Sequence, residues 1–145
     1  MTVDFYHLAA SPLERVLPAV AEKVVAGGGR LLVVGEEALL ARIDAQLWTY
    51  RPDSFLPHGR AGAEGDAEQP VLLSSGPAAV NGARNVAIAD GIWREEALGF
   101  ERAFYFFDSA RLDDARGAWR ALGGREGVER RFWKQDDRGR WIEGP

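Results

Sequence analysis

The feature that most constrains the fold is a short apolar run with no polar interruption. Arg30-Leu31-Leu32-Val33-Val34 sits between Gly27-Gly28-Gly29 and the acidic pair Glu36-Glu37. Successive side chains of a strand point to opposite sides, so four large aliphatics in a row demand cover on both faces. That is the condition of a strand inside a parallel sheet, and the flanking sequence agrees. Val3 to Leu8 reads as a strand of aromatic and β-branched residues. Ser11-Pro12-Leu13-Glu14 then predicts a helix start, with Ser11 and Glu14 as a capping box and Pro12 in the first turn. Leu13, Val16, Leu17, Val20 and Val24 recur at helical spacing, with a kink expected at Pro18. The three glycines end that helix, and Glu36 and Glu37 open another with the charge its dipole favours. Leu40, Ile43 and Leu47 form its buried stripe. Strand, helix, strand, helix predicts an α/β fold: one Rossmann-like domain, mainly parallel sheet, with helices on both faces.

The remainder fits one domain over residues 1–145, a length sufficient for a substantial core. Pro57 to Gln69 has no period and is rich in Gly, Ala and acids, so 57–69 is expected to be an exposed loop. Val71-Leu72-Leu73, Val86-Ala87-Ile88 and Ala103 to Phe107 are further strand candidates. Asp108 or Ser109 caps a last helix with Leu112, Ala115, Trp119 and Leu122 inward, closed by Gly123-Gly124. Glu129 to Lys134 reads as a final strand and 138–145 as a tail.

Much chemistry is excluded by what the chain lacks. With no cysteine there is no disulfide, zinc ribbon or thiol nucleophile. His7 and His58 stand apart with no ligand-spaced companion, so no metal site is expected. They read instead as a strand-end side chain and part of an ordered turn. The glycine triplet precedes a strand, whereas a dinucleotide fingerprint follows one. Ser74 and Ser75 lack a nucleophile-elbow context. No catalytic residue, cofactor or reaction is indicated. The start carries no basic stretch ahead of an apolar core, so neither export nor a membrane span is expected, and a cytoplasmic home follows.

Net charge is −4, which opposes non-specific affinity for DNA over the whole surface. Between Arg111 and Arg140, however, nine Arg and Lys face six acids. Such a local excess suits a small acidic partner. Leu47-Trp48-Thr49-Tyr50-Arg51-Pro52-Asp53-Ser54-Phe55-Leu56-Pro57-His58-Gly59 packs three large aromatics among stiffening prolines, a composition typical of binding hot spots. Spacing alone leaves open whether Trp48 and Phe55 bind a partner or seal the core edge. It also leaves open whether Arg116 and Arg120 are a receptor or merely pair with acids such as Asp113 beside a core Trp119.

That aromatic stretch resembles the signature of the chi family of DNA polymerase III subunits. Val3-Asp4-Phe5-Tyr6-His7-Leu8 is similar to the family's opening. Gln69-Pro70-Val71-Leu72-Leu73, Phe100-Glu101-Arg102, Phe107-Asp108, Ala115-Arg116, Trp119-Arg120 and Phe132-Trp133-Lys134-Gln135 follow in family order. The resemblance covers nearly the whole chain. It implies a Rossmann-like fold without cofactor or catalytic centre, serving as an accessory of the clamp-loader assembly. One face would hold the psi subunit or an iron–sulfur helicase, and carries over to Trp48, Tyr50, Arg51, Pro52 and Phe55. The other would take the acidic, phenylalanine-ended C-terminal tail of single-stranded-DNA-binding protein. That site carries over to Arg116, Trp119 and Arg120, with Phe132 and Lys134 completing the pocket. Family members have Lys and Tyr where Arg120 and Trp119 stand, so charge and aromaticity are kept. The resemblance thus implies a non-catalytic adaptor in replication. The competing expectation is a small-ligand protein or enzyme on the same fold, with its ligand at the carboxyl ends of the strands near Gly35 and Ser74. Direct binding of single strands by the aromatics is a third option, opposed by the acidic net charge.

Overall fold

The aliphatic run Leu31–Val34 forms a strand buried at every position, in the interior of the sheet. The structure, a computed structural model, describes residues 1–49, 57–62 and 64–144. In chain order its main elements are β1 (Thr2–His7), α1 (Leu13–Ala26), β2 (Leu31–Val34), α2 (Glu37–Trp48), β3 (His58–Arg60), β4 (Val71–Ser74), β5 (Asn85–Ile88), β6 (Arg102–Phe107), α3 (Leu112–Leu122), β7 (Glu129–Gln135) and β8 (Trp141–Gly144). The strands make one sheet in the order β3-β4-β2-β5-β6-β1-β7-β8. Every pairing is parallel except β7 with β8.

Alternation along the strands divides the core in two. Leu31, Val33, Val71, Leu73, Phe104 and Phe106 meet Leu13, Leu17 and Ala21 of α1 and Leu40, Ile43 and Leu47 of α2. Leu32, Val34, Val3, Phe5, Ile88, Tyr105 and Phe107 meet Ala115, Ala118 and Leu122 of α3 on the opposite face. Each of the large aliphatic and phenyl side chains contributes roughly 1.5–3 kcal/mol on burial, so both faces are strongly held. The small inward residues of α3 let that helix lie close to the sheet. Tyr105 spans its layer and donates its hydroxyl to the Gly91 carbonyl at 2.8 Å. No helix among the described residues is long and apolar enough to cross a membrane.

Four local expectations are corrected. The capping box does not form: Pro12 occupies the cap position of α1 without a side-chain bond. Ser11 Oγ instead accepts from Gln135 Nε2 at 3.0 Å, because a tertiary partner on β7 competes for it. The buried stripe of α1 is rotated towards Leu17, Pro18 and Ala21, which leaves Val16, Val20 and Val24 half-buried. Within the expected loop 57–69, His58–Arg60 pairs in parallel with β4. His58 earns that placement: its side chain is buried, 2.9 Å from Asp44 and against the Trp48 ring at 4.5 Å. Within the expected tail 138–145, Trp141–Gly144 returns as β8. The reversal is set by Asp136, whose Oδ1 accepts from the amides of Arg138 and Arg140, both at 2.9 Å, and by Gly139 at φ 79°.

Candidate protein-binding grooves

The strand period brings β7 and α3 together around an aromatic floor. Phe132 points to the α3 face and packs on Phe5, with ring centroids 6.1 Å apart and 15° between planes. Trp119 meets both rings edge-on, at 5.2 Å from Phe5 and 5.7 Å from Phe132. Trp119 and Phe132 remain half-buried, so they serve the core and the surface together. With His7, Leu112, Arg116 and Lys134 they line a groove of about 280 Å³. Arg116 and Lys134 are exposed and form no ion pair among the described residues, Asp113 included. In its place Arg111 pairs with Asp114 at 3.4 Å. Two uncompensated cations at the rim of an aromatic floor attract a carboxylate and an apolar side chain at once.

Arg120 follows one helical turn after Arg116 and is exposed, but it does not line the groove. It adds positive field at that end of the helix rather than a wall. His7 does line it, and sequence reasoning missed this. The signal was present, since Phe5 faces α3 and His7 is two residues on. His7 Nε2 lies 3.2 Å from Ser109 Oγ and its ring stacks on Phe107. Burial lowers its pKa below the ordinary 6.5; Arg116 lowers it further, against a smaller opposing pull from Asp108.

At the end of α2, Trp48 is 57% exposed. One side of the indole rests on His58, with ring centroids 4.5 Å apart. Tyr50, Arg51, Pro52 and Phe55 lie outside the described residues.

At the carboxyl ends of the strands, where a small ligand of this fold class lies, a crevice of about 430 Å³ opens. Neither Gly35 nor Ser74 lines it, and Ser74 Oγ accepts from the Gly76 amide within a turn. Its charged groups largely answer one another. Arg42 reaches Glu14 at 3.5 Å, Asp90 takes two 2.8 Å bonds from Arg94, and Asp108 caps the turn before α3 through Ala110.

Fold and surface together define a Rossmann-like α/β domain with a small cationic and aromatic groove against its last helix. Over residues 1–129 the chain matches the family described as DNA polymerase III chi subunit, HolC, and it belongs to that family. It is also similar to the DNA polymerase III subunit chi of Pseudomonas aeruginosa, with 40% identity over 78 residues. That alignment covers 51% of this chain and 54% of the relative, about half the length of each. Membership places the chain among the accessory subunits of a replicative polymerase assembly.

Proposed function

We propose that this protein is a non-catalytic adaptor of the DNA polymerase III holoenzyme, working in the cytoplasm. It joins the clamp loader, through a psi-type subunit, to the acidic C-terminal tail of single-stranded-DNA-binding protein. The observation that carries this reading is the pairing of unneutralised Arg116 and Lys134 with the ring edges of Trp119 and Phe132. The groove has room for one aromatic side chain and its terminal carboxylate. The preceding acids would lie along α3 towards Arg120. A guanidinium forks onto a carboxylate, and the phenyl ring of a terminal phenylalanine meets the aromatic floor edge-on. On the other part of the surface, Trp48 supplies the large exposed anchor that a psi-type subunit or an iron–sulfur helicase requires.

Isothermal titration with a synthetic tail peptide tests the groove. The expected affinity is about micromolar, because a short disordered peptide loses conformational freedom on binding, and it weakens with salt. Removing the terminal phenylalanine, or making Arg116→Ala with Lys134→Ala, should abolish measurable heat. Unchanged affinity in the double variant overturns the assignment.

A further inference from the structure

β7 serves two surfaces. Phe132 points to α3, while Trp133, next in sequence, points to the face shared by α1 and α2. There Tyr6, in register with Trp133, and Trp141 of β8 form a half-buried aromatic floor, with Tyr6 and Trp141 in edge contact at 5.1 Å. Between this floor and α1 runs a groove of about 610 Å³. Its helical wall is the half-buried stripe Val16, Val20 and Val24, which packs against the core on one side and lines the groove on the other.

The charge of this groove is one-sided. Arg15, Lys23 and Arg102 line it, and no Asp or Glu does among the described residues. In a chain of net charge −4 that segregation is pronounced. Arg15 and Lys23 are exposed and make no ion pair among the described residues. They lie two turns apart on α1, about 12 Å along its axis. Arg102 shares the single buried carboxylate of Asp4 with Arg131, so this pair of cations is only half neutralised.

We propose that this groove is a second docking site, for an acidic amphipathic segment of a protein partner. Apolar side chains of the segment enter between the valines and the Tyr6–Trp141 floor. Its carboxylates meet Arg15, Lys23 and Arg102. The aliphatic wall favours a peptide over a single nucleic-acid strand, since valines offer no flat face for base stacking. The site lies on the opposite face of the sheet from the α3 groove, so it stands whether or not the tail reading holds, and both grooves can be filled together.

The test is selection of a phage-displayed random library of about 16-residue peptides, some 24 Å long as helices, followed by titration of synthesised winners. A winning class rich in Asp or Glu with apolar residues at i and i+4 is expected. Arg15→Glu with Lys23→Glu should weaken its binding by about tenfold or more, while Arg116→Ala leaves it intact. Both substituted side chains are exposed and unpaired, so the melting temperature should hold. Arg15→Gln with Lys23→Gln, which only removes charge, should show a smaller loss. If no selected peptide responds to these variants, the proposal fails. It fails equally if an oligo-dT strand binds and responds to them while the acidic peptides do not.

Discussion

The guanidinium carbon of Arg130 lies 4.0 Å from the centroid of the Trp119 ring, and Nη1 of the same residue donates to the Trp119 carbonyl at 2.5 Å. Arg130 thus clamps both the side chain and the backbone of the residue that forms the groove floor. It does not line the groove itself, so its part is to position. Arg130→Met keeps apolar bulk but loses the cation–π contact and the hydrogen bond, at a stability loss of about 1–2 kcal/mol. The Trp119 indole resonance should broaden and tail affinity should fall several-fold. An unaltered resonance contradicts this role.

Asp4 is wholly buried inside β1. It accepts from Arg102 Nε at 2.9 Å, Trp133 Nε1 at 3.0 Å and Arg131 Nη2 at 3.3 Å, while Arg131 Nε stands 2.9 Å from its other oxygen. Asp4→Ala strands two guanidinium groups and an indole N–H. Breaking a buried pair costs about 3–5 kcal/mol, and the lower end applies because both arginines are partly exposed. Urea unfolding measures this, and a change below about 1 kcal/mol would contradict it.

His7 supplies a pH signature. Its folded pKa lies below the ordinary value through burial and then Arg116, so between the folded and unfolded pKa values the folded state holds fewer protons than the unfolded chain. The stability it contributes is therefore present at neutral pH and lost as pH falls through the folded pKa. A carboxylate-rich peptide in the groove opposes the Arg116 field and raises that pKa. Binding then takes up protons, and tail affinity should rise about two- to fivefold between about pH 7.5 and 5.5. His7→Asn should flatten the profile, and a flat profile in the parent protein would contradict the link.

Trp48→Ala removes a side chain already largely outside the core. The melting temperature should stay close to that of the parent, with a stability change within about 1 kcal/mol. Co-purification with a psi-type subunit should be lost. A large destabilisation would show that the indole acts chiefly as a lid on buried His58 and its neighbour Asp44.

Most of the fold was legible because its core strands are short apolar runs and two of its helices, α1 and α3, end at glycines. Leu31–Val34 could only be an interior strand, and Gly27 to Gly29 could only be a turn. What escaped was decided by tertiary partners. β3 is three residues long and exists because β4 offers an edge and His58 a buried place beneath Trp48. β8 exists because β7 has a free side, although Asp136 to Gly139 did carry a hairpin signal. At the candidate site, α3 and β7 bring Arg116, Trp119, Phe132 and Lys134 around one groove, while Arg120 stands outside it. His7 was readable from the two-residue period of β1. Arg130 was not readable, since only the closeness of β7 to α3 puts its guanidinium on the indole.

Trp48, Trp119 and Trp141 lie on three separate parts of the surface, which permits one direct measurement. Following their indole N–H resonances while titrating in the acidic, phenylalanine-ended tail peptide locates the binding surface in the intact chain. The account predicts a large, saturable shift for Trp119, with Trp48 and Trp141 unmoved. Shifts centred on Trp48 or Trp141, with Trp119 unchanged, would contradict it.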